Sequence, residues 1–316
     1  MVTVLEDLLR DTSAGDPISG VKWTRKTVRR LSRELRRRGL KVGRTTVRRL
    51  LRKQRYVLRV NRKRKTKGQD PRRDRQMQYI ARTRRAFKKA GFPVLSVDAK
   101  KRELVGEFRN AGRTWRRKPL EVLATDFRRD AAGVAIPYGI YDVARNEGYV
   151  AIGTAHETPA FAVAAIRRWW KRAGRHTYGD HVPLLIEADD GGANDSRCWL
   201  WKWELQQVAD EFQMPITVTH YPAGASKWNP VEHRLFSPIS LNWAGQPLAT
   251  YETVLKFIRT TRTQTGLRCR AWLDPHDYPT GLKITPQQKT QINLKPHRVL
   301  PNWNYTIEPH AVTQKI

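Results

Sequence analysis

The chain has 316 residues, 39% hydrophobic and 28% charged, so it can bury a core and is neither a disordered tail nor a disulfide miniprotein. Its 61 Lys and Arg residues exceed its 29 Asp and Glu residues by 32, which indicates a polyanionic partner rather than an ordinary metabolic substrate. No stretch approaches the ~18 consecutive apolar residues of a membrane helix, and the start lacks the order of a signal peptide, so we expect a soluble, unexported protein. Two cysteines, Cys198 and Cys269, are too few for a disulfide framework or a four-thiolate zinc site, which fits a reducing cytoplasm.

The positive charge is concentrated at one end of the chain. Residues 1–90 hold 31 Lys and Arg against 7 Asp and Glu, which is 24 of the 32 excess charges. We therefore expect phosphate binding at this end and chemistry in the remainder. The predicted segments, in order, are a lead (1–20), a helix-turn-helix-like region (21–60), a basic linker with a connecting helix (61–91), an α/β domain (92–262) and a C-terminal extension (263–316).

Two short basic helices are predicted after a turn-rich lead. Val28, Leu31 and Leu35 form one apolar stripe of a helix over 24–38, which Gly39 ends. A second helix is predicted from residue 45 or 46, because threonine is a good N-cap type. Its candidate DNA contacts are Arg44, Arg48, Arg49 and Arg52. The tight glycine turn favours a helix-turn-helix or winged-helix DNA reader, and a solvated charged hairpin is the alternative.

A run of basic residues then leads into a third helix. The sequence NRKRKTK over 61–67 is too polar to pack, and we interpret it as a linker that follows DNA phosphates. Its candidate contacts are Arg62, Lys63, Arg64 and Lys65. The connecting helix is predicted over 72–89.

Short apolar strands alternate with helices in the second domain. A strand over 94–97 ends at Asp98, a segment over 106–129 has no assignment, and 136–143 with 149–153 predict a hairpin. Thr158-Pro159 predicts a helix start, since proline suits the first helical position. Further predicted elements are a strand over 184–186, a helix over 201–212, a strand over 216–220 and a helix that Asn229 caps, with Glu232 in its first turn.

This order of three strands, helix, strand, helix, strand and helix is that of a ribonuclease-H-like α/β domain with a mixed five-stranded sheet. In that fold the first and fourth strands are neighbours, so Asp98 and Asp189 are expected to meet, and Glu232 on a later helix completes the site. Carboxylate oxygens are the ligands that magnesium prefers, and three carboxylates on rigid elements suit a site for two Mg²⁺ ions.

Four motifs resemble one known family. They are similar to motifs of ISAzo-type, or Rhodopirellula-type, insertion-sequence transposases, a group of DDE transposases. The four motifs are SVDAKKRELVG (96–106), AIPYGIYDVARNEG (135–148), EADDGGAN (187–194) and SKWNPVEHRLF (226–236). The resemblance runs from about residue 22 to 304. It implies catalytic and metal-binding roles for Asp98, Asp189 and Glu232.

The resemblance also implies cofactors and partners. These are two Mg²⁺ ions, for which Mn²⁺ substitutes, double-stranded DNA of the element ends and the target, a homo-oligomer on paired ends, and a location in the bacterial cytoplasm with the nucleoid. Asp190 departs from the family pattern, which has glycine there, and the upstream helical sequence is shorter than usual. A truncated copy that only binds DNA and a nuclease of the same fold therefore stay open as alternatives.

Several other polar residues flank the three carboxylates. Glu187, Asp190 and His233 are candidates for a supporting position behind the metal ligands, although a lone histidine is more often structural. Lys100, Lys101 and Lys227 are candidate contacts to the phosphates of the DNA strand, with a solvated role as the alternative.

Overall fold

The computed structural model describes residues 2–10, 13–15, 22–24, 26–54, 56, 70–225 and 228–311. The predicted contacts Arg62, Lys63, Arg64, Lys65 and Lys227 lie outside these residues. The chain divides into two compact units, Met1–Lys65 and Thr66–Ile316. Among the described helices, none is both long enough and apolar enough to cross a membrane.

The described residues of the first unit form three helices and a short strand pair: α1 (Val2–Arg10), β1 (Ser13–Gly15), β2 (Lys22–Thr24), α2 (Val28–Arg37) and α3 (Arg44–Lys53). The prediction of a helix from Thr24 was wrong, because the side chain of Thr27 accepts a hydrogen bond from the Arg30 N–H and starts α2 at Val28. The second helix starts at Arg44, one residue before Thr45, and its N-cap is Gly43 instead of a threonine.

An apolar core joins the helices of this unit. Its buried members are Leu5, Leu8, Leu9, Leu31, Leu35, Val47 and Leu50. The sequence did not predict α1, whose leucines supply part of this core. Gly39 takes a φ of 82°, a left-handed conformation that glycine adopts without strain, and so allows the tight turn between α2 and α3. The predicted contacts Arg44, Arg48, Arg49 and Arg52 are all exposed on α3.

The second unit alternates strands and helices as predicted, with additional strands at its end. Its elements are α4 (Arg73–Lys89), β3 (Val94–Ala99), β4 (Glu103–Val105), β5 (Gly133–Asp142), β6 (Glu147–Gly153), α5 (Pro159–Trp169), α6 (Arg175–Tyr178), β7 (Leu184–Ala188), α7 (Trp199–Phe212), β8 (Ile216–His220), α8 (Ser237–Asn242), α9 (Tyr251–Thr260), β9 (Arg268–Asp274), α10 (Pro286–Thr290), β10 (Leu294–Pro296) and β11 (Asn304–Ile307). A π-helical segment, Trp170–Gly174, joins α5 to α6, and another, Glu232–Phe236, leads into α8.

The strands of this unit form one mixed sheet. The order across the described residues is β10-β11-β8-β7-β3-β5-β6-β9, with β4 beside β5. Strands β3, β5 and β6 are antiparallel neighbours, whereas β7 is parallel to β3 and β8 is parallel to β7. The order β8-β7-β3-β5-β6 is the ribonuclease-H-like arrangement that the sequence predicted, and β9, β10 and β11 extend it on both edges.

Apolar residues cover both faces of this sheet. On one face, α5 and α7 bury Phe161, Trp169 and Trp201 against the central strands. On the other face, the segment from Val231 to Ile258 packs on β5, β6 and β9. Because both faces are covered, the polar side chains that carry chemistry are confined to the ends of the strands.

Candidate active site

The first predicted carboxylate lies at the end of the central strand β3. Asp98 pairs with Gly139 of β5, and its neighbour Val97 pairs with Ala188 of β7. Its side chain is 7% exposed, and one carboxylate oxygen accepts a hydrogen bond from the Ala99 N–H at 2.7 Å. The carboxylate is therefore held at the C-terminal end of β3, next to the end of β7, which Asp189 follows.

The second carboxylate follows the adjacent parallel strand β7. The side chain of Asn194 donates to Asp189 at 3.4 Å and accepts from the Tyr138 hydroxyl at 2.9 Å. His220 lies behind, with Nδ1 at 3.2 Å from the backbone oxygen of Asp189. Burial lowers the pKa of His220 to about 4, so this histidine is a neutral structural support at pH 7.

The third carboxylate lies at the start of a π-helical segment that is hydrogen-bonded to β3. The backbone N–H of Val231 donates to the Ser96 hydroxyl at 2.8 Å, and Asn229 Nδ2 donates to the Val97 carbonyl at 3.2 Å. The helix begins at Pro230, directly after Asn229 as predicted, but the Asn229 side chain bonds Ser96 and Val97 of β3 instead of capping the helix. These bonds place Glu232 beside the strand that carries Asp98.

Two glycines in the hairpin β5–β6 allow this helical segment to approach the sheet. A Cβ atom on Gly139 would lie 2.5 Å from the Phe236 ring and 3.0 Å from Val231, and one on Gly148 would lie 2.3 Å from Leu235. Glycine inside a strand often marks such a close approach. Neither position was predicted from the sequence, although the motif AIPYGIYDVARNEG contains both glycines.

The three carboxylates affect one another electrostatically. Burial, followed by the charges of Asp189 and Glu232, raises the pKa of Asp98 to about 9. Burial also raises the pKa of Asp189 to about 6, with further contributions from Asp190, Glu157 and Glu232 and an opposing hydrogen bond from Asn194. The side-chain interaction between Glu232 and Asp98 also raises the pKa of Asp98. The structure thus brings Asp98, Asp189 and Glu232 together.

The donor chemistry of this cluster fits a hard divalent ion. All three groups offer carboxylate oxygens, and within the described residues no Lys, Arg or His forms a salt bridge with them. As the side chains stand, no group of three or more His, Cys, Asp or Glu among the described residues is arranged to hold a metal ion. Asp98, Asp189 and Glu232 are thus the candidate ligands, and ion binding requires their side chains to change orientation.

The supporting candidates occupy different positions. Glu187 is fully buried and accepts from Arg84 Nε at 2.7 Å, so it is the partner of a basic residue on α4. Asp190 accepts from the Ser196 N–H at 2.9 Å and from Trp303 Nε1 at 3.0 Å. The departure from the family pattern at 190 is therefore accommodated by hydrogen bonds to other parts of the chain.

The predicted phosphate contacts near the site differ in accessibility. Lys100 pairs with Glu103 and lies over the Trp243 ring, 4.8 Å from its centroid. Lys101 and His233 are exposed. Of the two lysines, only Lys101 therefore presents a charge that is not already paired with a carboxylate in the structure.

A fourth carboxylate near the site was not predicted. Glu157 contributes to the raised pKa of Asp189, and a Cβ atom on Gly192 would lie 2.6 Å from its Oε1. Glu157 precedes the N-cap residue Thr158, where the sequence signal concerns the helix start. Its proximity depends on how the loop after β7 folds over α5, which spacing along the chain does not reveal.

Comparison with known proteins identifies one family. The family model described as the Rhodopirellula transposase DDE domain matches residues 4–309. No curated protein matches the chain. Among solved structures, the Mos1 transposase paired-end complex with left transposon end is 14% identical, with a TM-score of 0.45, over 81% of this chain and 69% of that chain. The Mos1 strand transfer complex is 15% identical, with a TM-score of 0.44, over 81% of this chain and 68% of that chain.

Proposed function

The chain belongs to the family of the Rhodopirellula transposase DDE domain, a family of polynucleotidyl transferases, and from this premise we propose that it cuts DNA at the ends of an insertion sequence and joins the freed ends to target DNA. The observation that carries the proposal is the cluster of Asp98, Asp189 and Glu232. Each comes from a different part of the fold. Asp189 and Glu232 both raise the pKa of Asp98, and Glu232 also raises that of Asp189.

The proposed ligands of two Mg²⁺ ions are these three carboxylates. Bound divalent ions supply activation of water or of a 3′ hydroxyl and stabilisation of the leaving oxygen. A bound cation would offset the repulsion from Asp189 and Glu232 that, after burial, raises the pKa of Asp98. Mn²⁺ is expected to replace Mg²⁺, since both favour oxygen ligands.

The residues around the carboxylates hold them in position. Ser96 and Asn229 fix the start of the helical segment that carries Glu232, and Asn194 orients Asp189. These bonds fix the segments that carry the ligands, so that only the carboxylate side chains have to turn toward an ion. Such positioning is an important contribution of a protein to metal-dependent phosphoryl transfer.

DNA is the proposed partner of the basic surfaces. The exposed arginines of α3, namely Arg44, Arg48, Arg49 and Arg52, suit contacts to phosphates of the element ends, and Lys101 suits the strand at the carboxylates. Because one reaction must act on two ends, we expect a homo-oligomer on paired DNA ends. The proposed location is the bacterial cytoplasm, on the nucleoid.

Strand transfer distinguishes this function from that of a nuclease. Labelled duplexes containing the DNA on either side of the coding sequence are incubated with supercoiled plasmid, Mg²⁺ and protein. We expect labelled duplex joined to plasmid with wild-type protein and none with Asp189→Asn. Asp180→Asn, which removes an exposed carboxylate before β7, serves as the matched control. Cutting without joined product would instead support a nuclease of the same fold.

A further inference from the structure

A segment of the catalytic unit exposes an aromatic side chain completely. We call residues 106–127, between β4 and the turn before β5, the basic arm. Trp115 is 104% exposed, and every residue from 111 to 121 is exposed. Leu120 and Phe127 add apolar surface at 45% and 51% exposure. An exposed indole of this kind is available to stack on or pack against a partner.

The middle of the arm carries an unbalanced positive charge, because the acidic residues of the arm, Glu107, Glu121 and Asp126, lie toward its two ends. Between 109 and 118 its charged residues are Arg109, Arg113, Arg116, Arg117 and Lys118, with no Asp or Glu among them. In the part of the chain that the structure describes, no carboxylate forms a salt bridge with these five. Four of them, Arg109, Arg116, Arg117 and Lys118, line one cavity of about 400 Å³. The arm therefore combines cations without a carboxylate partner and an exposed aromatic ring.

The base of the arm is fixed to the elements that carry the site. Its hydrogen bonds run to the segment after α8: the Gly245 N–H donates to the Ala111 carbonyl at 2.8 Å, and Asn110 Nδ2 donates to the Trp243 carbonyl at 3.2 Å. At its start, the arm follows β4, which comes directly after the strand of Asp98. The arm thus docks on the segment of Trp243, whose ring centroid lies 4.8 Å from the Nζ of Lys100, two residues after Asp98, while the tip of the arm at Trp115 is in solvent.

We propose that the basic arm is a second DNA-binding element: its arginines contact phosphates, and Trp115 stacks on an unpaired base next to the cleavage position. This assignment rests on the proposed function. A second copy of the same arm would bring like charges together, which is unfavourable, whereas nucleic acid supplies the complementary charge. Every base offers a face for stacking on an indole, so Trp115 needs no particular sequence.

The charge part of the proposal is tested by the salt dependence of DNA binding. Dissociation constants for a duplex are measured from about 50 to 200 mM salt by fluorescence anisotropy. Each lost phosphate contact lowers the slope of log K against log salt by ~0.9, so the triple variant Arg113→Ala/Arg116→Ala/Arg117→Ala should lower it by about 2.7. The matched triple Arg172→Ala/Lys256→Ala/Lys283→Ala, which removes three exposed charges elsewhere on the unit, should change it by less than ~1.

The aromatic part is tested with two duplexes, one blunt and one with an unpaired overhang. Trp115→Ala should weaken binding of the overhang duplex about tenfold or more, consistent with the loss of one stacked base, and leave the blunt duplex unchanged. Trp115→Phe should restore most of the difference, and Leu282→Ala, at an exposed apolar residue outside the arm, should have no effect. Circular dichroism checks that each variant is folded.

Two results would overturn the assignment. Arm variants with wild-type slope and wild-type overhang affinity would show that the arm does not bind DNA. Arm variants that sediment as a smaller species with unchanged DNA affinity would make the arm a contact between protein copies. Wild-type protein that binds no DNA would overturn the proposed function itself, which separates the two failures.

Discussion

The hydroxyl of Ser96 donates a hydrogen bond to the side-chain carbonyl of Asn229, 133 residues later in the chain. The same hydroxyl accepts from the Val231 N–H. Ser96 lies two residues before Asp98, and Asn229 three residues before Glu232. One serine thus connects the two elements that hold two of the three carboxylates, and we expect the spacing of Asp98 and Glu232 to depend on it.

Removing this hydroxyl should reduce both stability and activity. Ser96→Ala leaves the Val231 N–H and the Asn229 carbonyl without their partner, and both residues are fully buried. Leaving such a group unsatisfied costs about 1–3 kcal/mol of unfolding free energy. Displacement of Glu232 should slow DNA nicking by about 10- to 100-fold. Urea unfolding and single-turnover nicking measure the two effects.

Ser237→Ala is the control for this prediction, because Ser237 is exposed at the start of α8. It should change neither quantity by more than a small amount. A Ser96→Ala protein that loses stability and nicks at the wild-type rate would show that the contact does not position Glu232.

A methyl group on Gly139 should push the glutamate-bearing segment away from the sheet. Gly139→Ala places a Cβ atom 2.5 Å from the ring of Phe236, which must move. Overpacking of this kind costs about 1–3 kcal/mol. We expect a lower urea midpoint and slower nicking, and partial recovery of both in the double variant with Phe236→Leu. Gly43→Ala, where the added Cβ meets no atom within 4 Å, causes no such overpacking and should cost less than about 1 kcal/mol, because an N-cap favours glycine over alanine. Equal effects at both glycines would contradict the explanation.

The buried ion pair between Arg84 and Glu187 should be more sensitive to losing one partner than to losing both. Glu187 is fully buried, and Arg84 Nε donates to it at 2.7 Å. Arg84→Met leaves a buried carboxylate with only the Tyr221 hydroxyl, which should cost about 3–5 kcal/mol. Arg84→Met combined with Glu187→Leu should be less destabilised than the single variant. A double variant with the sum of two large losses would contradict this account.

The carboxylate cluster should make the metal-free protein less stable as pH rises. Burial and mutual repulsion raise the pKa of Asp98 to about 9 and that of Asp189 to about 6. The folded state therefore holds protons that the unfolded state releases near pH 4, and stability falls as pH rises through these two pKa values. With EDTA present, Asp98→Asn should flatten the decline between pH 6 and 9 and be more stable than wild type at pH 8.

Local sequence signals were sufficient for much of the fold. The Thr158-Pro159 pair predicted the start of α5, and the Thr158 side chain accepts from the Phe161 N–H at 3.2 Å. Short apolar runs predicted β3, β7 and β8 because both faces of this sheet are buried. The strand order followed from the order of elements, which also brought Asp98 and Asp189 to one edge. Their catalytic role stays a prediction.

Features that depend on distant partners were not predictable in this way. Strand β9 pairs with β6, where Glu147 faces Arg268, and β11 pairs with β8, although their sequences do not form continuous apolar runs. Asparagine is a common N-cap residue, but the side chain of Asn229 is hydrogen-bonded to the buried Ser96 of β3 instead. The exposure of Trp115 has no signal in the sequence, because it depends on whether another part of the chain packs against the ring.

The most direct test of the central claim is metal-dependent nicking of supercoiled plasmid that carries the DNA flanking the coding sequence. Wild-type protein, Asp98→Asn, Asp189→Asn and Glu232→Gln are compared with EDTA, Mg²⁺ or Mn²⁺, with Asp180→Asn as control. We predict nicking by wild type and the control only with a divalent ion, and a loss of at least about 10³-fold in each of the three variants, since each removes a ligand. Wild-type nicking in EDTA, or full activity in any of the three variants, would contradict the account.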